Sequence, residues 1–314
     1  MSNYILVGKN LSKNYYDTGQ TLKALRGVDF YIERGETVGI VGESGCGKST
    51  LLKLLTRIEE PTDGEIYFKG ENVTNLKGKE LKQSKKNIQM VFQDPSTAFS
   101  PRMKVKDCIA EPLKNFYKLN KMELSQKVNE LLRLVQLPED YANRYAHAMS
   151  GGQRQRLGIA RALSIQPQIL VCDEATSALD VSIQQDIIEL LVSLQKKSDL
   201  SIIFVCHDIA LVSSLSHRIM IMYLGAVVEE MYSKDLNTNA MHPYAKLLIS
   251  SIFSQSMDFG APIKTLEGDI PSPLSEIAGC AFNTRCSECT DICKEITPEL
   301  RVIEEGHRVA CHMV

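Results

Sequence analysis

Residues 42–50 read Gly-Glu-Ser-Gly-Cys-Gly-Lys-Ser-Thr, a complete G-x-x-x-x-G-K-S/T loop. The loop follows an apolar run, Thr37-Val38-Gly39-Ile40-Val41, and precedes Leu51-Leu52-Lys53-Leu54-Leu55. A strand, a glycine-rich turn and a helix in that order form an anion cradle. Gly42, Gly45 and Gly47 let the backbone turn tightly, so that N–H groups from Ser44, Cys46 and their neighbours can face phosphate oxygens. Lys48 can reach the β- and γ-phosphates. The Ser49 hydroxyl is placed to ligand Mg²⁺, and Thr50 completes the motif. The helix beginning near Lys48 adds the positive end of its dipole.

A length of 314 residues suggests about two domains. A hydrophobic share of 44% and a charged share of 24% are ordinary for a soluble globular chain. The net charge of −2 gives no bulk attraction to nucleic acid or anionic lipid. No apolar run approaches the ~18 residues that span a bilayer. Met1–Val7 lacks the basic start and long apolar core of a signal peptide. A nucleotide loop without an export signal predicts a cytosolic chain, whose nine cysteines are then not structural disulfides.

Periodicity places the elements. Residues 1–40 read as strands, with 25–32 mostly alternating and a turn at 33–36. Residues 49–58 read as the helix after the loop, 64–68 as a strand and 87–92 as another. From about 104 to 165 the pattern is helical, with Leu124, Val128, Leu131, Leu132 and Val135 at helical intervals. Residues 169–172 and 201–205 are short, wholly apolar strands, and 183–196 is an amphipathic helix. Alternating strands and helices predict an α/β core with a mostly parallel sheet. A proline- and glycine-rich region with few periodic segments begins near 255.

Asp173 and Glu174 follow the strand 169–172, at the edge where ligands sit in open α/β sheets. Asp173 is suited to hold Mg²⁺, directly or through water. Glu174 is placed to polarise water attacking the γ-phosphate. Ser150-Gly151-Gly152-Gln153 opens a second helix with a hydroxyl, bare N–H groups and a dipole. One γ-phosphate needs only one cradle, so a second device implies a dimer in which each subunit closes the other's site.

Together these motifs resemble the nucleotide-binding subunit of ATP-binding cassette transporters, over residues 4 to about 250 and beyond. The resemblance implies an α/β P-loop NTPase cassette: a RecA-like mixed sheet core, an antiparallel β subdomain and an α-helical subdomain about 94–165. It also implies two domains, 1–255 and a small Cys-rich C-terminal extension, 256–314. Gln93 looks like the glutamine linking Mg²⁺ and water to the membrane partner. Ser177-Ala178-Leu179-Asp180 looks like the loop that crosses the dimer interface, and His207 like the switch histidine that contacts the γ-phosphate. Tyr15 looks like the aromatic that stacks on adenine, with Tyr16 the alternative. Every catalytic motif keeps the family pattern, which implies an active ATPase.

Residues 93–103, His242-Pro243-Tyr244-Ala245-Lys246-Leu247-Leu248 and 266–273 resemble marks of oligopeptide and dipeptide importers. Residues 153–161 look like the second of the two ATPases in such systems. The implied assembly is a heterodimer of two ATPases under two transmembrane permease subunits, on the cytoplasmic face of the membrane, with an external peptide-binding protein. The segment 94–112 is the candidate contact for a permease. Sibling systems import nickel or other small solutes. A soluble cassette acting on ribosomes or DNA is the remaining alternative; one cassette, no heptads and no basic patch argue against it.

Five cysteines, Cys280, Cys286, Cys289, Cys293 and Cys311, fall in the last 35 residues. Converging thiolates can hold zinc or an iron–sulfur cluster, and either supplies folding energy to a short tail. Only Cys286, Cys289 and Cys293 have zinc-like spacing. The resemblance selects Cys280, Cys286, Cys293 and Cys311 as ligands of a [4Fe–4S] cluster and leaves Cys289 spare. Unliganded thiols in a packed tail are the third reading.

Overall fold

A computed structural model describes residues 3–17, 20–92, 99–175, 179–250, 271 and 277–314. Along the chain come β1 (Tyr4–Asp17), β2 (Gln20–Glu33), β3 (Thr37–Val41), α1 (Lys48–Leu55), β4 (Asp63–Phe68), β5 (Glu71–Asn72), α2 (Gly78–Asn87), β6 (Ile88–Val91), α3 (Val105–Phe116), α4 (Lys121–Leu134), α5 (Gly151–Leu163), β7 (Ile169–Asp173), α6 (Val181–Ser198), β8 (Ser201–Val205), α7 (Ile209–Leu215), β9 (Arg218–Tyr223), β10 (Ala226–Tyr232), α8 (Leu236–Asn239), α9 (Pro243–Ser250), α10 (Asp291–Glu295), β11 (Arg301–Glu304) and β12 (His307–Val309). They gather into two compact units, one drawn from 2–32, 37–74 and 206–314, the other from 33–36 and 75–205.

In the first unit, β2-β1-β4-β5 make one sheet, with β4 antiparallel to β1 and β5. This is the expected antiparallel subdomain. A second run of strands has the order β11-β12-β10-β9-β3. Within it, β3 and β9 are parallel, and the remaining pairs are antiparallel. The mixed sheet is thus present. All five residues of β3 are buried, as its unbroken apolar run requires. Gly39 allows α7 to lie close, since a Cβ there would stand 2.2 Å from Val212 Cγ1. Leu51, Leu52, Leu54 and Leu55 of α1 are fully buried, each contributing about 1.5–3 kcal/mol of burial.

The extension does not stand apart. Its hairpin β11–β12 adds to β10, with Glu229 opposite Val309 and Glu230 opposite Arg308. Glu229 is fully buried and accepts from His307 Nε2 at 2.7 Å and from the Met241 and His242 N–H groups. Glu230, also buried, pairs with Arg218 and Arg308. The boundary expected near 255 lies outside the described residues. The tail contains α10 and a hairpin where the sequence reading saw few periodic segments.

In the second unit, β6, β7 and β8 are parallel, with Ile88 opposite Ile169 and Ile169 opposite Ser201. Helices α3, α4 and α5 occupy the expected helical stretch. The α4 helix begins with a capping box: the Asn120 side chain accepts from Met122 and Glu123 N–H, and Glu123 answers to the Asn120 N–H. Val128, Leu131 and Leu132 form its buried stripe.

Candidate nucleotide site

The loop 42–50 is held open by its glycines. Gly42, Gly45 and Gly47 have φ of 153°, 78° and 103°. A Cβ on Gly42 would meet Met222 O at 2.2 Å, and one on Gly47 would meet Ala24 O at 2.6 Å. The glycines therefore serve both the turn and its nesting against β2 and the β9–β10 connection, where the Gly225 N–H donates to Cys46 O at 2.9 Å. Gly47 is the N-cap of α1 and no side chain caps that helix, so an anion is the fitting partner for its first N–H groups. Lys48 is buried, and its Nζ donates to Gly42 O at 2.7 Å and to Glu43 O at 2.9 Å. The ammonium is thus parked on carbonyls, which a phosphate oxygen outcompetes. Burial raises the Cys46 thiol above its ordinary value, leaving it a small packed group at the loop's base. Ser49 and Thr50 are half-buried in the first turn of α1.

Tyr15 is half-buried on β1, and its hydroxyl donates to Glu59 at 2.6 Å. Its ring belongs to the same unit as the loop, whereas Tyr16 is exposed. His207 is exposed and lies just before Asp208, whose carboxylate caps α7 through the Leu211 N–H.

In the second unit, Asp173 ends β7 and is buried, as is Glu174. Glu174 has a φ of 47°, and its N–H donates to Val205 O at 2.9 Å. A glutamate in the left-handed region is uncommon, although seven other described non-glycine residues share it. Ser150 caps α5: its hydroxyl accepts from the Gln153 N–H at 3.4 Å, and the Gln153 side chain accepts from the Ser150 N–H at 3.1 Å. The hydroxyl proton remains available to an external acceptor. The two glycines that follow differ in purpose. Gly151 is exposed, whereas Gly152 is buried, and a Cβ on it would stand 2.5 Å from Ile183 Cγ2 of α6. Leu179 packs near Gly151, and Asp180 is the exposed N-cap residue of α6. Gln93, Ser177 and Ala178 lie outside the described residues.

Sequence reasoning missed the supports of the loop. Tyr244 OH accepts from the Glu43 N–H at 2.9 Å. Arg285 grips the Glu43 carboxylate at 2.8 and 3.1 Å, and Glu43 raises the guanidinium's pKa further above its ordinary range. Tyr223, Tyr244 and Phe282 pack around them, with ring centroids 4.7–5.4 Å apart. Tyr244, which carries the first of these contacts, lies in the segment 242–248.

The tail thiols are not disulfide-bonded. Gly279, at φ 72°, permits the turn in which the Cys280 N–H donates to Cys293 O at 2.8 Å. Burial raises the Cys280 thiol, and the nearby Cys293, Cys311 and Cys289 push it the same way. Cys286 is raised to about 11, chiefly by burial and then by Cys280, Cys289 and Cys311. The Thr290 hydroxyl and N–H lower Cys293. Among the described residues, no three His, Cys, Asp or Glu side chains are grouped so as to hold a metal ion.

The model of ABC transporters matches residues 25–177, and that of the oligopeptide/dipeptide transporter C-terminal region matches residues 228–293. The chain is 44% identical to the oligopeptide transport ATP-binding protein AppF of Bacillus subtilis, covering 93% of this chain and 90% of the relative. It is 43% identical to the oligopeptide transport ATP-binding protein OppF of Haemophilus influenzae, over 96% and 92%. Among solved structures, it resembles the dimeric post-hydrolysis state of the ATP-binding cassette MJ0796 bound to ADP and Pi. The TM-score is 0.68 with 32% identity, covering 73% of this chain and 98% of that one.

Proposed function

The chain belongs to the ABC transporter ATPases of the oligopeptide/dipeptide importer type, and from that premise we propose that it hydrolyses ATP to drive peptide uptake. The observation that carries this reading is the loop itself: Lys48 parked on Gly42 and Glu43 carbonyls at the uncapped start of α1. Its uncapped N–H groups and buried ammonium fit a triphosphate. Ser49 and Asp173, with Gln93, are the residues to hold Mg²⁺, which neutralises charge on the transferring phosphoryl group. Glu174 accepts a proton from water, Tyr15 stacks on the base, and His207 contacts the γ-phosphate. Ser150, Gly151, Gly152, Gln153 and Asp180 serve the opposing subunit's nucleotide.

The partners in this reading are a second, homologous ATPase, two transmembrane permeases and an external peptide-binding protein. Among the described residues no helix is long and apolar enough to cross a membrane, which accords with a peripheral subunit docked on permeases. Co-expression with candidate permease, ATPase and binding-protein partners, reconstituted in vesicles, tests this. ATP-dependent uptake of a labelled peptide is expected. Uptake of nickel alone would reassign the cargo, and co-purification with ribosomes would overturn the transport role.

We further propose that Cys280, Cys286, Cys293 and Cys311 hold a [4Fe–4S] cluster, which would cross-link the tail. Five free cysteines within the last 35 residues support this reading. Zinc would need the close grouping that suits a single ion. Iron and acid-labile sulfide in anaerobically purified protein are the readout, and their absence would end the proposal.

A further inference from the structure

A carboxylate in an anion-binding loop is a local contradiction, and Glu43 is one. Its backbone is pinned on both sides, the N–H to Tyr244 OH and the C=O by Lys48 Nζ. Its side chain is the part left to move. Released, that carboxylate would belong to the residue whose carbonyl already holds Lys48, so it would compete for the ammonium and repel the triphosphate. Arg285 removes the contradiction. Its two terminal nitrogens take the two carboxylate oxygens at 2.8 and 3.1 Å, the fork geometry that lysine cannot reproduce. The Arg285 side chain is only 4% exposed. It is steadied by Tyr223 OH at 3.3 Å from Nη1, and Tyr223 packs edge-on to Phe282. The Arg285 N–H in turn donates to Phe282 O at 3.1 Å. The arginine is thus held by its own segment and presented to the loop.

We propose that Arg285, contributed by the C-terminal extension, is a positioning residue of the ATP site that holds the Glu43 carboxylate away from the phosphates and keeps Lys48 for them. This rests on the reading of the loop as an ATP site. The extension then sets nucleotide affinity as well as completing the fold.

The test measures Mg-ATP affinity of the full-length chain by calorimetry. Arg285→Ala is expected to weaken binding about tenfold, and adding Glu43→Gln to that variant is expected to recover most of the loss. The loss should also shrink as ionic strength rises from about 0.05 to 0.5 M, because freed surface charge is screened. A merely structural arginine would give neither recovery nor salt dependence. Arg285→Gln, which keeps more of the side chain's bulk, takes the same series should the alanine variant fail to fold. Unchanged affinity in the single variant, or no recovery in the double variant, overturns the proposal. Failure of the unmodified chain to bind Mg-ATP would instead overturn the reading of the loop.

Discussion

Acid will destabilise this protein through one buried imidazole. His242 is 1% exposed, its Nδ1 accepts from the Tyr244 N–H at 3.1 Å, and its ring lies against Phe282. Burial, aided by the Lys246 charge, lowers its pKa from 6.5 to about 4. Between those values the unfolded chain takes up a proton that the folded chain refuses. The stabilisation is therefore complete above pH 6.5 and is lost as pH falls toward 4. The gap is about two and a half decades, at about 1.4 kcal/mol each, so the loss approaches roughly 3 kcal/mol. That is a large fraction of ordinary folding stability. Urea unfolding followed by far-UV circular dichroism at steps from about pH 7 to 4 measures it. His242→Asn is the control, because its amide oxygen can still accept from Tyr244 but does not titrate. The wild type should lose about 3 kcal/mol more than this variant across the window. Parallel pH profiles would refute the assignment to His242.

Three further outcomes are expected. Glu174→Gln should retain Mg-ATP binding and lower hydrolysis by about 10²–10⁴-fold, accumulating a nucleotide-bound dimer visible by size exclusion; near-normal turnover would mean that another group activates water. Lys48→Ala removes the ammonium from the loop and should weaken ATP binding by at least about tenfold in the same calorimetric assay. Gly152→Ala places a methyl against Ile183 and should cost about 1–3 kcal/mol in urea unfolding, with Ile183→Ala restoring part of that loss in the double variant.

The phosphate loop was legible because glycines at fixed spacing leave few backbone solutions. The buried strands β3, β7 and β8 were legible for a related reason, since short unbroken apolar runs suit strands covered on both faces. Both ends of α6 lie two residues beyond the sequence reading, as helix ends commonly do. Two things were not legible. Arg285 and Glu43 are 242 residues apart in sequence, and no local pattern in one chain announces such a pair. The hairpin β11–β12 has only a weak local signal, the Glu-Gly turn of Val302-Ile303-Glu304-Glu305-Gly306-His307, with Gly306 at φ 75°. The sequence marks Gly152 for its bare N–H, and the structure shows that its missing Cβ also makes room for α6.

The joining of residues 307–309 to β10 has a consequence for biosynthesis. Until a ribosome has released that stretch, Glu229 lacks its imidazole, Glu230 lacks one of its two guanidinium partners, and a strand margin lies uncovered. Nascent or prematurely terminated chains would expose that margin to one another, a recognised route to aggregation. Nonsense mutations far downstream of every ATP motif should therefore be as damaging to this protein as mutations within them.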